Sequence, residues 1–304
     1  MALADRTPPT AEQYEAYRER FSNWGRWGAD DQLGTLNHIS AETRRAAAAL
    51  VVEGRTVSCA NPLASTPGPR NPNPAQHFMN VGPGGAMDYI GVSYHGFVNT
   101  HIDALCHIYA EDGQLYNGRP ASEITSGGAR TNSVDHWRAG IVTRGVLYDI
   151  PGLRDAPHVA LDAPVEGWDL EDAAVKAGVE PAPGDAVLIR SGAGPFYEAN
   201  PGHRTPFTDP TPGVAGSVLE YLHAHDASLL GWDLQEAAGQ DLPVRMPVHQ
   251  VAIPYMGLPL LDNANLEELT ETCAELGRWE FQLVIAPLNV VGGTGSPVNP
   301  VAVF

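Results

Sequence analysis

The sequence predicts an α/β protein in which one domain is built on a mixed sheet with flanking helices. Three observations carry that expectation. Apolar, β-branched runs alternate with stretches that have helical caps and stops, which is the pattern of strands joined by helical crossovers. Several of the connections are short enough for hairpins, so antiparallel pairs are expected beside parallel ones. The 32 glycines and 26 prolines of the 304 residues are spread along the chain with no repeat or low-complexity block. No linker therefore divides residues 1–304, although residues 1–39 are set apart as an N-terminal arm.

Residues 11–21 are rich in helix formers. A second helix is predicted over 41–53, with Ser40 as its N-cap and Gly54 as its stop. The intervening NWGRWGADDQLGTLN has too much Gly and Asp for either regular period. From 62 to 83 the density of Pro, Asn and Gly predicts an extended loop. Strands are predicted over 141–150, 186–191, 228–233 and 281–287 from their β-branched and apolar content. Helices are predicted over 169–177, closing on Gly178, over 214–225 after Gly213, and from a capping box at 265–268 to about Gly277.

Composition excludes several classes of function. With 18 Lys+Arg against 36 Asp+Glu, the formal charge of -18 repels phosphate backbones and anionic lipids, so neither nucleic acid nor membrane is an expected partner. Cys59, Cys106 and Cys273 are too few and too scattered for a disulfide framework, which points to a reducing compartment. The first residues have no apolar run behind a basic start, and nowhere does the chain reach the roughly 20 apolar residues of a spanning helix. A cytoplasmic protein acting on a small molecule is expected.

The densest chemical signal is HGFVNTHIDALCH, which places His95, His101, Asp103 and His107 within thirteen positions. Imidazole nitrogen and carboxylate oxygen together suit Zn²⁺, Mn²⁺ or Fe²⁺. A helix would set His101 and Asp103 about 200° apart, whereas a strand points i and i+2 to one face. The pair therefore belongs on a strand. At about 3.3 Å per residue, a straight strand would leave His95 and His107 roughly 20 Å from His101, so the chain must bend on both sides. Gly96 and Asn99 permit the first bend, and Ala104-Leu105-Cys106 can start a helical turn for the second.

Two further polar residues, His249 and Asp262, bracket an apolar run that reads as strand-like and suits a pocket wall. Cys106 has no base of its own and is expected to be a small buried residue. H-E-x-x-H, G-x-S-x-G and the phosphate loop G-x-x-x-x-G-K-[ST] are all absent. Gly292-Gly293-Thr294-Gly295 is read as a turn, because Pro297 and Pro300 follow it in place of a helix. His223 and His225 are read as packing or surface residues.

These residues resemble the cyclase family of metal-dependent hydrolases, which includes bacterial kynurenine formamidase, isatin hydrolase and the trans-dienelactone hydrolases. The family signature is H-x-G-T-H-x-D-x-P-x-H. Thr100, His101, Asp103 and His107 match it, while Asn99 replaces the Gly and Leu105 the Pro. The first His of the signature falls on Phe97, so His95 fills it only through a two-residue insertion. The variant HGFVNTHIDALCH resembles the family's longer members, as do NWGRWGADDQLGTLN and LLDNANLEEL.

The resemblance implies a swivelling β/β/α-type fold in a homodimer or homotetramer whose N-terminal residues help line a neighbouring site. It implies His95, His101 and Asp103 as metal ligands and His107 as the catalytic acid/base. His249 and Asp262 become catalytic partner and further ligand, around one or two Zn²⁺ or Mn²⁺ ions per subunit. Trp24, Trp27 and Phe97 become candidates for a substrate wall. A metal that lowers the pKa of water toward about 7 and polarises a carbonyl implies hydrolysis of a cyclic amide, imide or lactone, or of an aryl formamide. The rivals are a Lewis-acid cyclase or dehydratase acting on a polyketide-like carbonyl, and a metal- or ligand-binding protein without turnover.

Overall fold

The computed structural model describes residues 6–304, and Met1 to Asp5, the start of the expected arm, lie outside the described residues. Its centre is a nine-stranded mixed sheet. Four strands run parallel in the order Ile141–Asp149, Ala186–Arg190, Leu229–Trp232 and Leu260–Asp262. Beyond Ile141–Asp149 lie Glu280–Ile285, Val301–Val303 and Thr56–Ser58; beyond Leu260–Asp262 lie His101–Asp103 and Gly295–Pro297, all paired antiparallel. The α/β class with a mixed sheet is thus what forms, for the reason the sequence gives: β-branched runs such as Ile141–Asp149 alternate with amphipathic helices.

Alternation along these strands makes two cores. Val146, Tyr148, Val187, Ile189, Leu230, Trp232 and Leu260 face one layer, joined by Tyr14, Tyr17 and Phe21 from the first helix. Leu147, Leu188, Leu229, Leu261, Ile102 and Leu283 face the other. Within the segment expected as an arm, the helix Ala11–Arg20 therefore sits in the core, and the Tyr14 hydroxyl donates to the carbonyl of Pro247 at 2.9 Å. The helix has a full capping box between Thr10 and Gln13. Gly167–Ala177 ends on Gly178 in the left-handed conformation, as its sequence predicts.

Four local expectations need correction. The second helix stops at Ala48, because the N–H groups of Glu53 and Gly54 instead bond the C-terminal carbonyl of Phe304. The helix predicted from residue 214 begins only at Val218, since Val214 is held extended between Val165 and Glu236. The helix Glu267–Leu276 starts on Leu266 without a side-chain cap, and Asn265 reaches only the N–H of Glu267. The loop expected over 62–83 is a loop only to residue 75: Gln76–Gly82 pairs with Gly85–Gly91 as an antiparallel ribbon. None of the helices among the described residues is long and apolar enough to cross a membrane.

Candidate metal centre

Strand pairing builds the site. His101–Asp103 lies against Leu260–Asp262 with Asp262 opposite His101 and Leu260 opposite Asp103. Because i and i+2 share a face, His101, Asp103 and Asp262 point to one side of the sheet while Ile102 and Leu261 fill the core on the other. The expected bends are present. Residues 95–99 form a run of bends, and the N–H of His107 bonds the carbonyl of Ala104 at 2.9 Å, which turns the chain back.

The run from His249 to Asp262 corrects a prediction. It is not a strand along its length: a helical turn, His249–Val251, leads into a π-helical turn, Ala252–Met256, and then to Gly257 at φ +65° before Leu260–Asp262 begins. A straight strand would part its ends by roughly 43 Å. This turn instead brings His249 Nε2 to 3.3 Å from Asp262 Oδ2.

Asp103 is the hub. Its Oδ1 is 2.9 Å from His95 Nδ1 and 3.4 Å from His101 Nε2, and its Oδ2 is 3.6 Å from His107 Nε2 and 3.7 Å from His249 Nε2. Both oxygens are buried and make no hydrogen bond, and His95 Nδ1 also lacks one. Natural proteins rarely leave a buried carboxylate in that state. A ring of imidazole nitrogens aimed at a bare carboxylate is the donor set of a divalent ion. His95, His101 and Asp103, and separately Asp103, His249 and Asp262, each bring one donor atom per residue to within 4.8 Å of one another. The residues present fit such a divalent ion.

Surrounding groups set the orientation of these side chains. His101 Nδ1–H donates to the carbonyl of Asn99 at 2.8 Å, which leaves Nε2 free toward Asp103. Glu236 Oε1 accepts from both the backbone N–H and Nδ1–H of His249, at 2.9 and 2.7 Å. Asp262 accepts from Trp232 Nε1–H at 2.6 Å and from Gln235 Nε2–H at 2.5 Å, so its two oxygens, unlike those of Asp103, are already held. Thr294 Oγ1 lies 3.0 Å from His95 Nε2. The segment read as a mere turn thus also supports the site. Trp232, Gln235, Glu236 and Thr294 carry no motif spacing of their own.

Electrostatics follow from this geometry. Burial alone would raise the Asp103 carboxyl, but His107 first, then His95 and His101, reverse that and hold it well below the usual carboxylate range. Burial, with His95 and His249 adding to it against Asp103, pushes the His107 imidazole down to about 4. Burial opposes a charge on His249 too, yet Glu236 and then Asp262 raise it well above its ordinary value.

Of the expected site residues, His95, His101, Asp103, His107, His249 and Asp262 come together. Phe97 stands two residues beyond His95 with its ring edge-on to Phe207 at 5.4 Å. It lines both a cavity of about 310 Å³ bordered by Gln235 and Glu236 and one of about 370 Å³ bordered by Arg70 and Tyr197. Trp24 and Trp27 pack elsewhere in this chain. Trp24 donates to the carbonyl of Pro254 at 2.7 Å and stacks on Tyr255, while Trp27 meets His38 and Arg26. Cys106 is buried, its thiol pushed up to about 12, and His223 and His225 pack on Phe21 and Tyr221.

Comparison with known proteins bears on the whole arrangement. The family model Cyclase, described as "Putative cyclase", matches residues 29–237. No curated protein matches the chain. A solved structure described as a novel cyclase is 31% identical, with a TM-score of 0.83 over 94% of this chain and 99% of that one. An isatin hydrolase bound to the product analogue thioisatinate is similar in fold, at 19% identity and a TM-score of 0.57 over 87% of this chain and 98% of that one. Isatin hydrolase A from Labrenzia aggregata, bound to benzyl benzoate, is 20% identical with a TM-score of 0.58, covering 82% of this chain and 93% of that one. With most of its length matched by the family model and a 31% identical structure matched nearly end to end, the chain belongs to the cyclase family.

Proposed function

We propose that the protein is a metal-dependent hydrolase that opens a cyclic amide, imide or lactone, or cleaves an aryl formamide, with uptake of water. One observation carries the reading: the fully buried Asp103 carboxylate has no hydrogen bond and is faced by four imidazoles. His95, His101 and Asp103 would hold the ion, and Asp103, His249 and Asp262 offer a second seat beside it. When bound, a divalent ion supplies Lewis-acid polarisation of a carbonyl and lowers the pKa of water from 15.7 to about 7.

The remaining work falls to side chains. His107, pushed down to about 4, is neutral at pH 7 and can take a proton at Nε2. His95 and His107 stack in parallel, 3.8 Å between ring centroids, which fixes the plane in which that nitrogen lies. His249 is oriented by Glu236 and keeps its Nε2 toward Asp103 and Asp262. Phe97, which lines both cavities, offers a ring for a substrate with a flat face.

The test is elemental analysis of purified protein beside His101→Ala, followed by mass spectrometry of candidate lactam, imide, lactone and formamide reactions. About one Zn or Mn per chain that is lost in the variant, with products whose summed mass exceeds the substrate's by 18 mass units (a single ring-opened product, or an amine plus formate from a formamide), is the expected result. No metal in either sample, and none taken up from added Zn²⁺ or Mn²⁺, overturns the reading. Products of unchanged mass, or lighter by 18 units, replace hydrolysis with cyclisation or dehydration.

A further inference from the structure

The loop 62–75 stands out in the sequence by its Pro, Asn and Gly, yet the metal centre does not account for it. It is tied down beside the strand that carries His101 and Asp103. The N–H groups of Asn61 and Ala64 bond Thr100 Oγ1 at 2.8 Å and Asn99 Oδ1 at 2.9 Å. Asn71 Nδ2 closes the loop on itself by donating to the carbonyls of Ala64 and Thr66, both at 2.9 Å. What the loop delivers is Arg70.

Arg70 is half-buried, and its guanidinium carbon lies 3.4 Å from the centroid of the Tyr197 ring. One N–H reaches the carbonyl of Phe97 at 3.5 Å, the far limit of a hydrogen bond. Stacking satisfies a face of the guanidinium but none of its N–H donors. In a chain with 36 acidic residues against 18 Lys+Arg, Arg26, Arg144, Arg154 and Arg190 each pair with a carboxylate. Among the described residues no carboxylate pairs with Arg70.

The cavity of about 370 Å³ that Arg70 lines lies beyond the carboxyl ends of three parallel strands. Ala193 follows Ala186–Arg190, Asp233 follows Leu229–Trp232 and Asn263 follows Leu260–Asp262, and all three line it. This end of an α/β sheet is where ligands bind. The cavity also adjoins the metal centre. Phe97 is two residues from His95, and Asn263, next to Asp262, donates to the carbonyls of Gly96 at 2.8 Å and Asn99 at 3.1 Å. The two acids on its wall are already engaged: Asp233 accepts from the N–H groups of Ser191, Gly192 and Ala193, and Glu267 accepts from Arg190 at 2.7 Å.

We propose that Arg70 receives a carboxylate carried by the substrate, remote from the scissile carbonyl, with Tyr197 holding the guanidinium in place. The proposal rests on the hydrolase reading above and narrows it to anionic substrates. A carboxylate fits because the guanidinium fork matches its planar pair of oxygens, and a single cation beside two engaged acids suits one negative charge better than the two of a phosphate. The carboxylate that hydrolysis creates forms at the metal centre, so the one at Arg70 belongs to the substrate from the start.

The experiment is calorimetric titration of the metal-free full chain with benzoate, phenylacetate and 3-phenylpropionate, and with the amide of each, beside Arg70→Ala. The acids are expected to bind about 10- to 100-fold more tightly than the amides, and the variant should lose that preference while taking up Zn²⁺ as wild type does. Arg70→Gln, which keeps a planar group over Tyr197 and loses the charge, reads the same loss if the alanine variant misfolds. On whichever lactam, imide, lactone or formamide turns over, an added carboxylate should lower KM for wild type and leave it unchanged for the variant. Acids that bind no better than their amides, or a preference that survives in both variants, overturn the proposal and leave the metal reading intact. Failure to take up metal overturns the hydrolase reading alone, because the titration is made without metal.

Discussion

Replacing Glu236 separates what orients His249 from what binds metal. Glu236 is 5% exposed, and its Oε1 serves two donors of His249. Glu236→Ala removes the acceptor and leaves a buried backbone N–H and a buried imidazole N–H without partners. Each orphaned donor costs about 1–3 kcal/mol, and breaking a buried ion pair costs about 3–5 kcal/mol, so a loss near 3 kcal/mol is a conservative expectation. Unfolding entropy near 2.1 cal/mol/K per residue converts that into a fall in Tm of about 5 °C for a chain of this size. With Nδ1–H no longer held, the ring is free to rotate or change tautomer, and metal affinity should weaken about 10- to 100-fold. Glu236→Gln keeps an acceptor oxygen and loses the charge, so its Tm should fall less than that of the alanine variant while affinity still drops. Calorimetric titration with Zn²⁺ and Mn²⁺, beside scanning calorimetry of the metal-free protein, reads both quantities. An alanine variant with wild-type Tm and metal affinity would refute the claim that Glu236 orients His249.

Two more outcomes follow from the geometry. The folded-state pKa of His107, about 4, lies below its unfolded value near 6.5, so the folded chain binds fewer protons and stability falls as pH drops from 6.5 toward 4. The full effect is about 3 kcal/mol. His107→Asn should flatten that part of the Tm profile of the metal-free protein, and an unchanged slope would show that His107 is not held neutral. Gly257 sits at φ +65° in the turn that returns Asp262 to His249, and an added Cβ would lie 2.4 Å from the Tyr116 ring. Gly257→Ala should cost about 3 kcal/mol through strain and overlap; thermal melts within 1 °C of wild type would show that the turn is not so constrained.

Much of the fold was legible in the residues themselves. Ile141–Asp149, Ala186–Arg190, Leu229–Trp232 and Glu280–Ile285 announce themselves as short apolar runs; Ala186–Arg190 and Leu229–Trp232 bury both faces at the centre of the sheet, while Glu280–Ile285 buries alternate residues. The i, i+2 spacing of His101 and Asp103 likewise fixed a strand and a shared face before any coordinates, and it demanded bends on both sides. Local propensity misled where distant partners compete for the backbone. Val214 is drawn into bridges with Val165 and Glu236, and Glu53 and Gly54 are captured by the carbonyl of Phe304.

Tertiary structure decided the rest. That Asp262 faces His101 is a matter of register between two strands far apart in sequence. That His249 joins them depends on a π-helical turn whose residues, AIPYM, carry no distinctive period. Glu236, Gln235, Trp232 and Thr294 matter only through the atoms they reach, so no spacing rule marks them. The sequence determined which donors exist and which of them share a strand face, because side-chain direction is local. Which donors converge on Asp103, and which arginine is left without an acid, depended on long-range pairing that a linear pattern does not encode.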